Sequence, residues 1–194
     1  MFIRAPEPSA ETQEMDEATV RAQGFVMNLN RAWAWRPDVF GRFAGLRSRL
    51  LEASTFTRRE QAVIVCATAA TREDAYCALA WGRTLAQEAG VDCAAAVITG
   101  DDDAGLSARD RALAAWSRKV AANPNATTAQ DVEALKAAGL SDREIFEATA
   151  FIAFRLAFST VNAALGVAPD RQLVDALPAE VREVVNFGRA PAAG

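Results

Sequence analysis

Apolar residues along this chain come in dense runs, not in the strict alternation of a half-buried strand. Ala62-Val63-Ile64-Val65-Cys66-Ala67 and Phe151-Ile152-Ala153-Phe154 are the clearest. The chain has 44 alanines, the residue with the highest helix propensity. Helix starts are spelled out before the runs. A Ser or Thr followed three residues later by an acid can satisfy the orphan N–H groups of a first turn. Thr57-Arg58-Arg59-Glu60, Thr71-Arg72-Glu73-Asp74, Ser107-Ala108-Arg109-Asp110, Thr128-Ala129-Gln130-Asp131 and Ser141-Asp142-Arg143-Glu144 all have this form, the three Asp versions being weaker boxes than Glu. The pattern predicts an all-α protein with helices near 16–34, 37–53, 58–70, 72–89, 93–99, 108–121, 129–138, 142–165 and 179–187. Pro37 suits a first helical position, and Gly90, Gly139 and Gly166 mark helix ends.

At 194 residues, the length suits one domain with a sizeable core. Residues 1–15 read as a flexible N-terminal arm, 16–187 as a single helical domain and 188–194 as a C-terminal tail. Gly100-Asp101-Asp102-Asp103 reads as a solvated turn, lacking the glycine and later glutamate of a calcium loop. Ser/Thr-x-Arg-Asp/Glu recurs at 57–60, 107–110 and 141–144. Duplicated helical units and independent capping both explain that recurrence.

The segment 148–168 is apolar enough to be tested as a membrane span. Arg155 stands near its middle, at a cost of about 2.5–3.5 kcal/mol in a bilayer centre, and the helix opens earlier at a cap around Ser141. It reads as a helix buried in protein, partly in a subunit interface, so the expectation is no membrane partner and a homo-oligomer. Arg155, if buried, calls for an acid or carbonyl partner.

Composition narrows the chemistry. The chain has no histidine, which removes Ser-His-Asp and Cys-His catalysis, His-ligated zinc and imidazole acid–base steps together. Its net charge is −4, which offers nucleic acid no basic footprint. Cys66, Cys77 and Cys93 form no CxxC pair and no zinc or disulfide framework. No apolar leader follows Met1, so a reducing, cytoplasmic location is expected. No phosphate loop, nucleophile elbow or haem motif is present, and the expectation is no cofactor and no metal.

The most informative stretch is 56–82. Phe56-Thr57-Arg58-Arg59-Glu60 opens an apolar helix, and Asp74-Ala75-Tyr76-Cys77-Ala78-Leu79-Ala80-Trp81-Gly82 follows. These residues resemble the alkylhydroperoxidase D-like (AhpD-like) or carboxymuconolactone decarboxylase family, in its peroxidase-related branch. The family pattern is a helix opening Ser-Pro-Arg-Glu-Arg-Glu, then a Cys-x-Tyr-Cys turn into a second helix with His four residues on. Ala34-Trp35-Arg36-Pro37-Asp38, Thr127-Thr128 through Ala138-Gly139-Leu140-Ser141-Asp142, and Leu165-Gly166-Val167-Ala168-Pro169-Asp170 are similar to other parts of the family, so the resemblance spans roughly 20–175. It implies an AhpD-like multi-helix bundle. Carried over position by position, Cys77 matches the second cysteine and Tyr76 precedes it. Asp74 stands at the first cysteine, Trp81 at the histidine and Ala62 at the relay glutamate, while Glu60 matches only an earlier glutamate.

Asp74, Cys77 and Trp81 sit at i, i+3 and i+7 and share a helix face. With the expected helix starting at 72, Cys77 would lie about two turns in, where the helix dipole fades, and Asp74 would oppose its ionisation. The candidate catalytic residues are Cys77, Asp74 and Glu60, with Tyr76 and Trp81 as substrate contacts. Each also has a structural reading: Asp74 and Glu60 as caps, Cys77, Tyr76 and Trp81 as core. Cys66 and Cys93 read as core, Trp33, Trp35 and Trp116 as core or interface anchors, and Phe151, Phe154 and Phe158 as a packing stripe. Three functions remain open. One is a peroxidase-related oxidoreductase, consuming hydroperoxide and recycled by an external thiol. Another is a cofactor-free lyase or isomerase of a small organic acid. The last is a non-catalytic homologue that binds ligand or assembles.

Overall fold

The computed structural model describes residues 1–101 and 105–192, so Asp102 and Asp103 of the acidic turn lie outside the described residues. Among the described residues the chain is helical, without strands: α1 (Ala10–Gln23), α2 (Asn28–Trp33), α3 (Pro37–Glu52), α4 (Arg58–Thr71), α5 (Ala75–Ala89), α6 (Val91–Thr99), α7 (Ala108–Ala122), α8 (Ala129–Ala137), α9 (Asp142–Ala164), α10 (Arg171–Asp175) and α11 (Ala179–Val184). The apolar run in α4 is buried on every side, as a helix without a polar face must be. Helices α5, α6, α7 and α9 pack around it. α3 lies on α9, α1 lies on α3, and α11 covers α6 and α5. No helix among the described residues is long and apolar enough to cross a membrane.

Four of the five anticipated capping boxes form, at Thr57, Ser107, Thr128 and Ser141. In three of them the adjoining arginines also tie the helix starts together. Arg59 pairs with Asp110 at 2.9 Å. Arg109 pairs with Glu60 at 2.5 Å and with Glu144 at 2.6 Å, and donates to the Gly139 carbonyl. The recurring Ser/Thr-x-Arg-Asp/Glu string is thus a set of neighbouring helix starts, each acid serving its own cap and a neighbour's arginine.

The fifth box does not form, and the difference sets the site. α4 continues to Thr71, whose hydroxyl donates back to the Ala67 carbonyl at 2.8 Å. Glu73 then adopts φ 52°, the only positive φ outside glycine among the described residues. Its N–H donates to Ala70, and that of Asp74 to Ala69, a Schellman closure with glutamate where glycine is usual. α5 therefore begins at Ala75, not 72, with Asp74 as its cap. Gly188 seals this turn from outside, since a Cβ there would lie 2.2 Å from the Glu73 carbonyl oxygen.

The expected 16–34 helix is two helices, because the chain turns left-handed at Gly24. The first begins at Ala10 with a Ser9–Thr12 capping box, inside the stretch expected to be an arm. The Phe2 N–H donates to the Leu165 carbonyl at 2.8 Å, and the Ala192 N–H to Pro169 at 2.9 Å. Trp33 stacks on Phe158 with centroids 5.6 Å apart and donates to Asn162, and Trp116 is buried. Trp35 is exposed, its indole N–H donating to the Arg4 carbonyl.

Candidate functional site

Helices α5 and α9 meet through side chains at Cys77. Because α5 starts at Ala75, Cys77 lies in its first turn, not two turns in, and the positive end of the helix dipole acts on it. Asp74 accepts from the Cys77 N–H at 3.1 Å through Oδ1. Its Oδ2 accepts from the Ser159 hydroxyl on α9. That hydroxyl oxygen lies 3.5 Å from Cys77 Sγ and is left free to accept the thiol proton. Arg155, one turn before Ser159, donates through Nη2 to the same sulfur at 2.8 Å. The sulfur thus has a donor on one side and, on the other, a hydroxyl leading to a carboxylate.

Cys77 is only 3% exposed, and burial pushes its thiol up to about 11. Arg155 and the Ser159 hydrogen bond pull it down, and Asp74 pushes it up. Desolvation wins, so the resting sulfur is a protonated thiol at neutral pH. Cys66 is fully buried and held still higher by the same cause. Cys93 is buried against Arg59. All three cysteines are free thiols.

Cys77, Tyr76 and Trp81 border a partly open cavity of about 840 Å³ lined by residues of α1, α2, α3, α4, α5, α9 and α10. Its walls include Met15, Leu29, Phe40, Phe43 and Phe158. The volume is within the usual range for small-molecule sites. Asp74 instead lines a separate cleft of about 270 Å³, with Tyr76, Asn162 and Arg189. It meets the sulfur side through Ser159 and through its own interaction with Cys77, which pushes the thiol up.

The other candidates fall differently. Tyr76 donates its hydroxyl to Asp170, which also accepts from the Asn28 N–H at 2.7 Å. Burial, then Asp170, raises the phenol strongly, and burial raises Asp170. Tyr76 therefore pins α5 to the segment before α10. Trp81 is half-buried with the Arg58 guanidinium 4.5 Å from its ring centroid. Glu60 does not line the cavity: it caps α4 and binds Arg109. Of the carboxylates among the candidate catalytic residues, neither Glu60 nor Asp74 faces the cavity.

The sequence called for an acid or carbonyl partner for Arg155, with a structural ion pair or the binding of an anion as the two readings. Arg155 has no carboxylate partner among the described residues; it touches the Cys77 sulfur and lies 5.7 and 5.3 Å from the Trp81 and Phe158 centroids. Ser159 was missed, although its i+4 spacing from Arg155 within an apolar helix was the available signal.

No protein-family profile matches the sequence, and no curated protein matches it. Solved structures do. An uncharacterized peroxidase-related protein with an alkylhydroperoxidase AhpD core, from Ralstonia eutropha JMP134, is 25% identical over 99% of both chains, with a TM-score of 0.77. Another uncharacterized peroxidase-related protein, from Silicibacter sp. TM1040, is 22% identical over 89% of this chain and 91% of its own, with a TM-score of 0.78. The debrominase Bmp8, in a cysteine-to-alanine variant complexed with 2,3,4-tribromopyrrole, is 15% identical over 96% of both chains, with a TM-score of 0.71. The chain is thus an all-helical protein of AhpD-like fold, similar over nearly its whole length to peroxidase-related proteins.

Proposed function

We propose that this protein is a thiol-dependent oxidoreductase that reduces a hydroperoxide at Cys77 and is recycled by an external thiol. The observation that supports it is the placement of one sulfur at a large apolar cavity, touched by Arg155 and backed by Ser159 and Asp74. The thiol proton moves to the Ser159 oxygen as the Ser159 proton moves to Asp74. The thiolate attacks the outer peroxide oxygen and the O–O bond breaks. The sulfur becomes a sulfenic acid, and the alkoxide takes a proton from water to leave as alcohol, while the proton on Asp74 passes to solvent through its own cleft and neutralises the hydroxide. One external thiol condenses with the sulfenic acid, releasing water and leaving a mixed disulfide. A second thiol exchanges with it, releasing the external disulfide and restoring Cys77. Bmp8 gives this fold a precedent for holding a small organic ring.

A binding-only role is favoured by one observation, the thiol pushed up to about 11. The deciding experiment follows consumption of cumene hydroperoxide with an added dithiol, alongside mass spectrometry of each cysteine. Sulfenic acid at Cys77 alone, with turnover lost in Cys77→Ser, is the expected result. Turnover unchanged in Cys77→Ser, or no oxidation of Cys77, refutes the oxidoreductase.

Assembly belongs to the same proposal. α3 has no fully buried residue, Leu46 on it and Trp35 before it are exposed, and Phe146 on α9 is 69% exposed. A second copy of the chain covering these faces makes a homo-oligomer. A monomeric mass in light scattering would refute it.

A further inference from the structure

Several arginines elsewhere in the chain meet acids, among them Arg59 with Asp110, Arg109 with Glu60 and Glu144, Arg143 with Glu147, and Arg171 with Asp175. The three at the Cys77 cavity do not. Arg155 is 4% exposed, and its Nε, buried, meets no hydrogen-bond acceptor. Arg58, at the start of α4, lies over Trp81. Arg47, from α3, is half-buried and lines the same cavity. Burial, then the positive charges of Arg155 and Arg58, push Arg47 downward. None of the three pairs with a carboxylate among the described residues. Glu11, Glu14 and Asp38 also line the cavity, but Asp38 is engaged by Arg36, and Glu11 and Glu14 are exposed on α1.

A buried guanidinium without a counter-charge is costly, and neighbouring guanidinium groups repel. A ligand carboxylate would relieve both and would match the guanidinium fork. We infer that the cavity binds an organic carboxylate with an apolar body. Its head is held by Arg155, Arg47 and Arg58 beside the Cys77 sulfur, and its body lies against Met15, Leu29, Phe40, Phe43 and Phe158. This gives the substrate class of the proposed oxidoreductase and rests on that reading only for the reaction, not for binding.

The test is calorimetric titration of the full chain with 4-phenylbutyrate, with 4-phenylbutan-1-ol of the same body, and with inorganic phosphate. The acid is expected to bind about tenfold more tightly than the alcohol. Phosphate, lacking the body, should bind more weakly than the acid. Arg47→Gln and Arg58→Gln, at half-buried and exposed positions, should each weaken the acid several-fold and leave the alcohol unchanged. Equal affinity for acid and alcohol, phosphate binding as tightly as the acid, or indifference to both substitutions overturns the inference. Turnover of the neutral cumene hydroperoxide is measured on the same preparations. Its failure with the titration intact removes the oxidoreductase alone, and the reverse result removes the carboxylate site alone.

Discussion

Replacing Arg155 with Met should make the protein more stable and its cysteine less reactive. Methionine has a similar reach, so it fills the space without the charge. The guanidinium is buried, has no carboxylate among the described residues and lies 2.8 Å from Cys77 Sγ. A unit charge near 4 Å is worth at most about 4 kcal/mol at an effective dielectric of 20, or about three pKa units. Losing it should push the thiol further up from its value of about 11. Below pH 11 each unit removes a factor of ten in thiolate, so iodoacetamide labelling of Cys77 should slow, by at most about a thousandfold. Stability should rise instead, by about 1–4 kcal/mol, as when buried charges give way to apolar residues of similar volume. Labelling followed by mass spectrometry from pH 7 to 11, with urea unfolding in parallel, reads both effects. Unchanged labelling would refute the Arg155–sulfur coupling. A stability loss of several kcal/mol would show that Arg155 holds the fold together.

Two further predictions concern the same turn and the same sulfur. Glu73→Gly removes a left-handed strain of about 1–2 kcal/mol, offset partly by glycine's greater unfolded-state entropy. With the Glu73 side chain exposed, a net gain of roughly 0.5–1 kcal/mol in urea unfolding is expected, and a loss would disprove the strain. For pH, the unfolded Cys77 thiol ionises near its ordinary value of about 9, while the folded one holds its proton to about 11. Its contribution to stability, on the order of 2 kcal/mol, is complete below pH 9 and is lost as pH rises through 11. Cys77→Ala should show a shallower alkaline fall, and an identical fall would contradict the raised thiol.

The helical architecture was written locally. Capping boxes at Thr57, Ser107, Thr128 and Ser141, and an α4 apolar on all faces, need only neighbours within a few residues to be read. Where local signals competed, the sequence misplaced the boundary: Thr71 looked like a cap but stayed in α4, because Glu73 takes a conformation usually left to glycine. That shift of three residues moves Cys77 into the first turn of α5. The face shared by Asp74, Cys77 and Trp81 was legible from helical spacing, yet its surroundings were not. Arg47 and Arg58 come from α3 and α4, and Arg155 and Ser159 from α9, 78 and 82 residues beyond Cys77, so no periodicity links them to it. Sequence determines which faces are apolar and where helices begin, because those are short-range matters of propensity and hydrogen bonding. Which charges lack partners depends on what the packed helices bring within a few ångströms, and only the tertiary structure decided that.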